Sequence, residues 1–173
     1  MPQLPGPNPD GELELVPHDP ELAEEYLPVV ARNHQRLARW EPWAQDPPTL
    51  DSIRGYQRWV AERMARGEAL EFLVRLDGAI VGATGARLDG DRPEFGYWID
   101  GALEGKGVAS RAVRELLGRL EERGYRRFTA RTGVENERSI RLLGRLGFTR
   151  SDEPVEPMLL GDRIVPMVRF VRG

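Results

Sequence analysis

The sequence predicts an α+β fold, one domain with a mostly antiparallel mixed sheet, a central parallel pair and flanking helices. Three observations carry this expectation. Apolar runs at 70–76 and 79–86 flank Asp77-Gly78, a two-residue hairpin signal, and Asp89-Gly90 leads into a third run at 94–99. That is an antiparallel meander. A helix then separates the run at 94–99 from the next one at 126–131, which lets those two strands run parallel. The length, 173 residues, suits a single core without disulfide or metal staples.

The elements follow in order. Residues 1–11 are rich in Pro and Gly and read as a loose lead-in, leaving 12–173 for the domain. Glu12-Leu13-Glu14-Leu15-Val16 alternates as a half-buried strand does. Asp19-Pro20 supplies an N-cap and a first-turn proline for a helix carrying Leu22, Tyr26, Val29 and Val30 on one face. Pro28 is expected to kink or end that helix, and a second piece is expected from Asn33 to Trp40. Glu41 to Pro48 is a loop. Trp40 and Trp43 either cap the core beneath it or wall a substrate groove. Thr49 or Asp51 caps a helix with Ile53, Tyr56 or Gln57, Val60 and Met64 at helical spacing, ending at Gly67. Beyond the meander, Val113, Leu116, Leu117 and Leu120 give the helix at 108–123 one apolar stripe, and Gly124 ends it. A short helix opened by Asn136 and closed by Gly147-Phe148, a strand at Thr149-Arg150 and a terminal strand from Ile164 to Val171 complete the chain.

Composition excludes several classes of function. A net charge of −3 offers no general attraction to nucleic acid. The absence of cysteine removes disulfides, thiolate metal sites and cysteine nucleophiles, and fits a reducing, cytoplasmic setting. With only His18 and His34, a multi-histidine metal site is not expected. No stretch approaches the roughly 20 apolar residues of a membrane span, and the N-terminus lacks the pattern of a signal peptide.

The informative stretch is Pro93 to Leu120. An apolar strand feeds Glu104-Gly105-Lys106-Gly107-Val108-Ala109, which runs straight into a helix. Orphan first-turn N–H groups, the helix dipole and close backbone approach at glycine make such a loop suited to phosphate. Lys106 is the only lysine among 25 basic residues. A P-loop is rejected, because Gly107 follows Gly105-Lys106 and leaves no hydroxyl for Mg²⁺. A dinucleotide fingerprint is disfavoured, because Ser110 takes the third small-residue position and the next strand ends without a carboxylate.

Three motifs together point elsewhere: the Gly-Lys-Gly-Val-Ala loop, Asn136-Glu137-Arg138-Ser139, and Leu143-Gly144-Arg145-Leu146-Gly147-Phe148. With them the sequence resembles the GNAT acetyltransferases from about Glu12 to the C-terminus. Asn33-His34-Gln35-Arg36-Leu37, Trp40-Glu41-Pro42-Trp43 and Phe95-Gly96-Tyr97-Trp98-Ile99 resemble the RimJ/RimL-type branch, which acetylates N-termini of ribosomal proteins. The resemblance implies a GNAT-like domain over 12–173 with acetyl-CoA as co-substrate and no metal. It also implies that Glu104, Gly105, Lys106, Gly107, Val108 and Ala109 wrap the pyrophosphate, that the Trp98-Ile99 backbone pairs with the pantetheine arm, and that the Asn136 amide contacts it. Asn136 also suits an ordinary helix cap.

Acetyl transfer to an amine needs a neutral nitrogen, a donor to the thioester oxygen and a proton for the leaving thiolate. Glu94 is the candidate base, acting through water, or else a surface strand residue after a turn. A backbone N–H between Tyr97 and Ile99 is the expected oxyanion donor. The family often places a tyrosine where this chain has Leu143, so Ser139 is the expected proton relay, or else polar filler in a first helical turn. Glu104 stands where the family has Gln or Arg. Beside phosphates its carboxylate must face solvent or pair with Lys106 or Arg111. The expected acceptor is a protein N-terminal amine, possibly ribosomal; the alternatives are a small amine, or a non-catalytic acyl-CoA-binding module. A homodimer is implied by the RimL resemblance alone.

Overall fold

A computed structural model describes residues 7–173 of the chain. The first part of the expected lead-in, residues 1–6, lies outside the described residues; the rest of it turns at Gly11, whose N–H donates to the Asn8 carbonyl. The strands are β1 (Leu13–Pro17), β2 (Ala69–Leu76), β3 (Ala79–Arg87), β4 (Glu94–Ile99), β5 (Phe128–Gly133), β6 (Thr149–Arg150), β7 (Met158–Leu160), β8 (Arg163–Val165) and β9 (Met167–Arg172). The helices are α1 (Ala23–Leu37), α2 (Leu50–Ala65), α3 (Val108–Glu122) and α4 (Glu137–Arg145). Seven strands form one sheet in the order β1-β2-β3-β4-β5-β9-β6, and β7-β8 is a separate hairpin. Every pairing in the main sheet is antiparallel except β4 with β5, as the order of elements predicts.

Local chemistry explains most boundaries. Asp77 (φ 49) and Gly78 (φ 81) both adopt the left-handed region, as a type I′ turn requires, and Leu76 pairs directly with Ala79. The second turn of the meander is longer than expected. Arg87 pairs with Glu94, so Asp89-Gly90 lies inside the connection 88–93; only its Gly90 has a positive φ, and a two-residue turn of this kind needs two. Thr49 caps α2 through a reciprocal box with Ser52.

Two expectations are corrected. Pro28 does not end α1, which runs unbroken through it to Leu37. Pro28 lies in the second turn and removes only one backbone bond, while Tyr26, Val29, Val30 and Leu37 on either side are fully packed. The terminal strand is split at Pro166, which has no N–H to give a ladder: β8 pairs with β7, and β9 enters the sheet between β5 and β6.

The sheet carries helices on both faces. Along β2, Phe72 and Val74 join the core under α3, while the intervening Leu73 joins the one under α1 and α2. Val113, Leu116, Leu117 and Leu120 of α3 are buried, each worth roughly 1.5–3 kcal/mol of transfer from water. The feature that positions the site lies in mid-sheet. β4 and β5 share a single register pair, Glu94 with Thr129, and a bond from the Thr129 N–H to the Pro93 carbonyl. Beyond it the two strands run on to Ile99 and Gly133 with no ladder between them, so the sheet opens into a cleft along β4.

Candidate active site

At the C-terminal end of β4 a one-turn 3-10 segment, Gly101–Leu103, leads into the glycine loop. Gly105 (φ 72) and Gly107 (φ 81) are left-handed, and a Cβ on either would meet nothing within 4 Å. The backbone conformation, rather than a close neighbour, therefore demands glycine there. Gly107 caps α3 with no side-chain bond. Among the described residues, the N–H groups of Gly107, Val108, Ala109 and Ser110 have no acceptor. Four donors without an acceptor at the positive end of a 15-residue helix fit a phosphate without a metal. Lys106 is on the same loop, exposed, and makes no ion pair among the described residues.

The loop is braced by α1. Asn33 accepts from the Gly101 N–H (2.8 Å) and donates to Asp100 (3.2 Å), and Arg32 Nε donates to Asp100 at 2.8 Å. Burial by itself would raise the Asp100 carboxyl, but the bonds from Arg32, the Ala102 N–H and Asn33 hold it below its usual value. Arg36 donates to the Ile99 carbonyl and to Glu104, the latter at 3.1 Å. The Ile99 carbonyl keeps a second lone pair for another donor. Glu104 also pairs with Arg138 of α4. Its expected partners are therefore corrected: neither Lys106 nor Arg111 holds it, and Arg111 instead donates to the Pro9 and Gly11 carbonyls, both at 2.7 Å.

Across the cleft, Asn136 caps α4 by accepting from the Ser139 N–H at 3.3 Å. The Ser139 hydroxyl meets the Tyr97 hydroxyl of β4 at 3.1 Å. Burial raises the Tyr97 phenol, the Ser139 bond and Arg145 oppose the shift, and the charge of Glu41 adds to it. Leu143, where the family often has tyrosine, is fully buried in the core and offers nothing to the cleft.

On the opposite face of β4 lies a cavity of about 440 Å³, bounded by α1, the loop before α2, α2 itself, β3 and β4. Glu94, Gly96, Tyr97 and Trp98 of β4 line its wall. Glu94 is held by Arg131 at 2.9 Å and Arg87 at 3.6 Å. Glu71 accepts from the Tyr56 hydroxyl at 3.0 Å and pairs with Arg63 at 3.4 Å. Its carboxyl is raised by burial, against the pull of Tyr56 and Arg63. His18 is buried between Tyr26 and Tyr56, ring centroids 6.0 and 5.7 Å away, and desolvation lowers it to about 4. Burial raises Glu41 to about 7, opposed by a bond from Trp43 Nε1 at 3.0 Å.

The two tryptophans part company. Trp43 lines the cavity, its ring 6.4 Å from that of Trp98. Trp40 does not; it covers Gly133 at the end of β5, where a Cβ would fall 2.7 Å from its ring. Local sequence does not mark the side chains of Tyr97, Asn33, Arg36 or Glu41 as parts of the site. The Asn33 and Arg36 pair had a signal, two polar residues at i, i+3 on one helix face. Tyr97 had only its strand position beside Trp98. No described group of His, Asp or Glu is arranged to hold a metal ion, and no described helix is long and apolar enough to cross a membrane.

Residues 12–149 match the model of the acetyltransferase (GNAT) domain. A Bacillus subtilis protein with the provisional name ribosomal N-acetyltransferase YdaF is 30% identical over 139 residues, covering 75% of this chain and 74% of that protein. RimL, a ribosomal alpha-N-protein acetyltransferase solved with coenzyme A, superposes with a TM-score of 0.87 at 22% identity, covering 92% of this chain and 93% of that one. The microcin C7 self-immunity acetyltransferase MccE, solved with acetyl-CoA and AMP, also gives 0.87, at 18% identity, covering 98% and 97%. At these identities the two structures speak for the fold alone.

Proposed function

The chain belongs to the GNAT acetyltransferase family, and on that premise we propose that it moves the acetyl group of acetyl-CoA to a protein N-terminal α-amine by direct transfer in a ternary complex. One observation carries the reading. β4 presents an unpaired backbone edge to the cleft, beside a donor-rich loop, and lines with Glu94 and Trp98 an acidic, aromatic cavity. Donor and acceptor can thus meet at one strand.

In this reading the Gly107, Val108 and Ala109 N–H groups receive the pyrophosphate, Gly105 shapes the loop, and Lys106 adds a point charge. Glu104 keeps Arg36 and Arg138 in place, so its carboxylate is neutralised before a phosphate arrives. The Trp98 and Ile99 backbone and the Asn136 amide hold the pantetheine arm. Glu94, fixed by its two arginines, orders a water at the amine. The nitrogen's proton passes through that water to Glu94 and on to solvent. The nitrogen bonds the acetyl carbon as the C–S bond breaks, and the thiolate takes a proton from the Ser139–Tyr97 pair, which regains one from solvent. A cytoplasmic setting, a ribosomal protein as acceptor and a homodimer belong to the same reading; the provisional name of the Bacillus subtilis relative supports the first two.

A second reading has its own support. A cavity of about 440 Å³ holds a volume comparable to ~15 liquid waters at ~30 Å³ each, enough for a whole small amine. Incubation with acetyl-CoA, short peptides with free α-amines and a set of small amines separates the two, with thiol release and product mass as readouts. Acetylation at peptide α-amines supports the first reading. Turnover confined to small amines supports the second.

A further inference from the structure

Resting on the acetyltransferase reading above, we propose that Glu41 is the group that receives the acceptor ammonium in the cavity and takes its proton. The carboxylates there differ in what already holds them. Glu94 lies between Arg131 and Arg87, and Glu71 between Arg63 and the Tyr56 hydroxyl. Asp46 is exposed at the rim. Glu41 makes no ion pair among the described residues. Its one side-chain bond runs from Trp43 Nε1 to Oε2 at 3.0 Å, which leaves Oε1 for a cation.

The surroundings suit that role. His18 Nδ1 and His34 Nε2 are buried with no hydrogen-bond partner among the described residues, and burial keeps His18 uncharged at neutral pH. Among the described residues Arg87 is the one guanidinium in the cavity wall, and it is committed to Glu94. An arriving ammonium therefore meets an uncommitted carboxyl group among the rings of Trp43, Trp98 and Tyr26, which also favour a cation. Glu41 is close to the chemistry as well. Trp43 ties it to Trp98 on β4, and its charge is felt at the Tyr97 hydroxyl, the partner of Ser139. Desolvation sets its carboxyl near 7, within about one unit of an α-amine at ~8, so the transfer is nearly level. The proton passes from nitrogen to Oε1 and then to solvent, and the freed lone pair forms the C–N bond as the C–S bond breaks. Glu94, already paired, then orients the acceptor instead of deprotonating it.

The test measures kcat/KM for acetyl transfer to a short α-amine peptide and to butylamine across pH 5.5–9, with acetyl-CoA affinity measured separately. It uses wild type, Glu41→Gln, Glu41→Asp and Glu94→Gln, each checked for folding. Glu41→Gln is expected to lower kcat/KM by about 10²-fold or more and to abolish the rise through pH ~7, while acetyl-CoA affinity holds; Glu41→Asp restores part of the rate. An active Glu41→Gln enzyme that keeps the pH ~7 limb overturns this inference and leaves the acetyltransferase reading standing. A wild-type protein that binds acetyl-CoA but acetylates neither probe overturns both.

Discussion

The Tyr97 hydroxyl of β4 and the Ser139 hydroxyl of α4 meet at 3.1 Å across the cleft where β4 and β5 cease to pair. This bond links β4 to α4, and in the proposed reaction it supplies the proton of the leaving thiolate. Tyr97→Phe is expected to lower kcat by about tenfold with acetyl-CoA affinity unchanged, and Ser139→Ala by at least as much. The double variant should lose little more than the worse single one, because the two hydroxyls act as a unit. Additive losses would show that they act separately.

Glu94→Gln removes a charge held by Arg87 and Arg131. If Glu94 works as a base through water, the loss is steepest below the amine pKa of ~8 and acetyl-CoA affinity is nearly unchanged. If Glu41 takes the proton, the loss is uniform with pH. Steady-state rates from pH 6 to 9 therefore assign the role.

Lys106→Ala tests the phosphate loop. Lys106 is exposed, so its contribution to CoA binding is expected to be only about 0.5–1 kcal/mol and to shrink with added salt. Pantetheine analogues without phosphates should bind the variant and the wild type equally, as calorimetry can show. An equal loss for both ligands means that Lys106 touches no phosphate.

His18 makes stability depend on pH. Its folded value of about 4 lies below the unfolded 6.5, so the unfolded chain binds more protons between them, and stability falls as pH drops through that window. The full shift is worth about 3 kcal/mol. Glu41, raised to about 7 from 4.5, has the opposite sign: stability falls as pH rises between those values. Urea midpoints at pH 7, 5.5 and 4.5 should stay nearly level in wild type, where the two shifts offset, fall with acid in Glu41→Gln and rise with acid in His18→Asn.

Most of the architecture was legible in local chemistry. Asp77-Gly78 specifies its hairpin because two consecutive left-handed residues leave few alternatives, and Asn136 with Gly147 brackets α4. Pro28 misled, because propensity counts one lost hydrogen bond and cannot count the buried face of α1. The β7-β8 hairpin escaped because its strands are three residues each, shorter than any periodicity can resolve.

The glycine loop, its family likeness and the helix it opens were determined by the sequence alone, since each depends on neighbours within a few residues. The partners of its charges were not. Glu104 pairs with Arg36 and Arg138, 68 and 34 positions away, and Glu41 shares a cavity with Glu94. Ion pairing and desolvation depend on distance and water access in three dimensions, so only the folded chain decides which carboxylate is neutralised and which stands ready for a substrate.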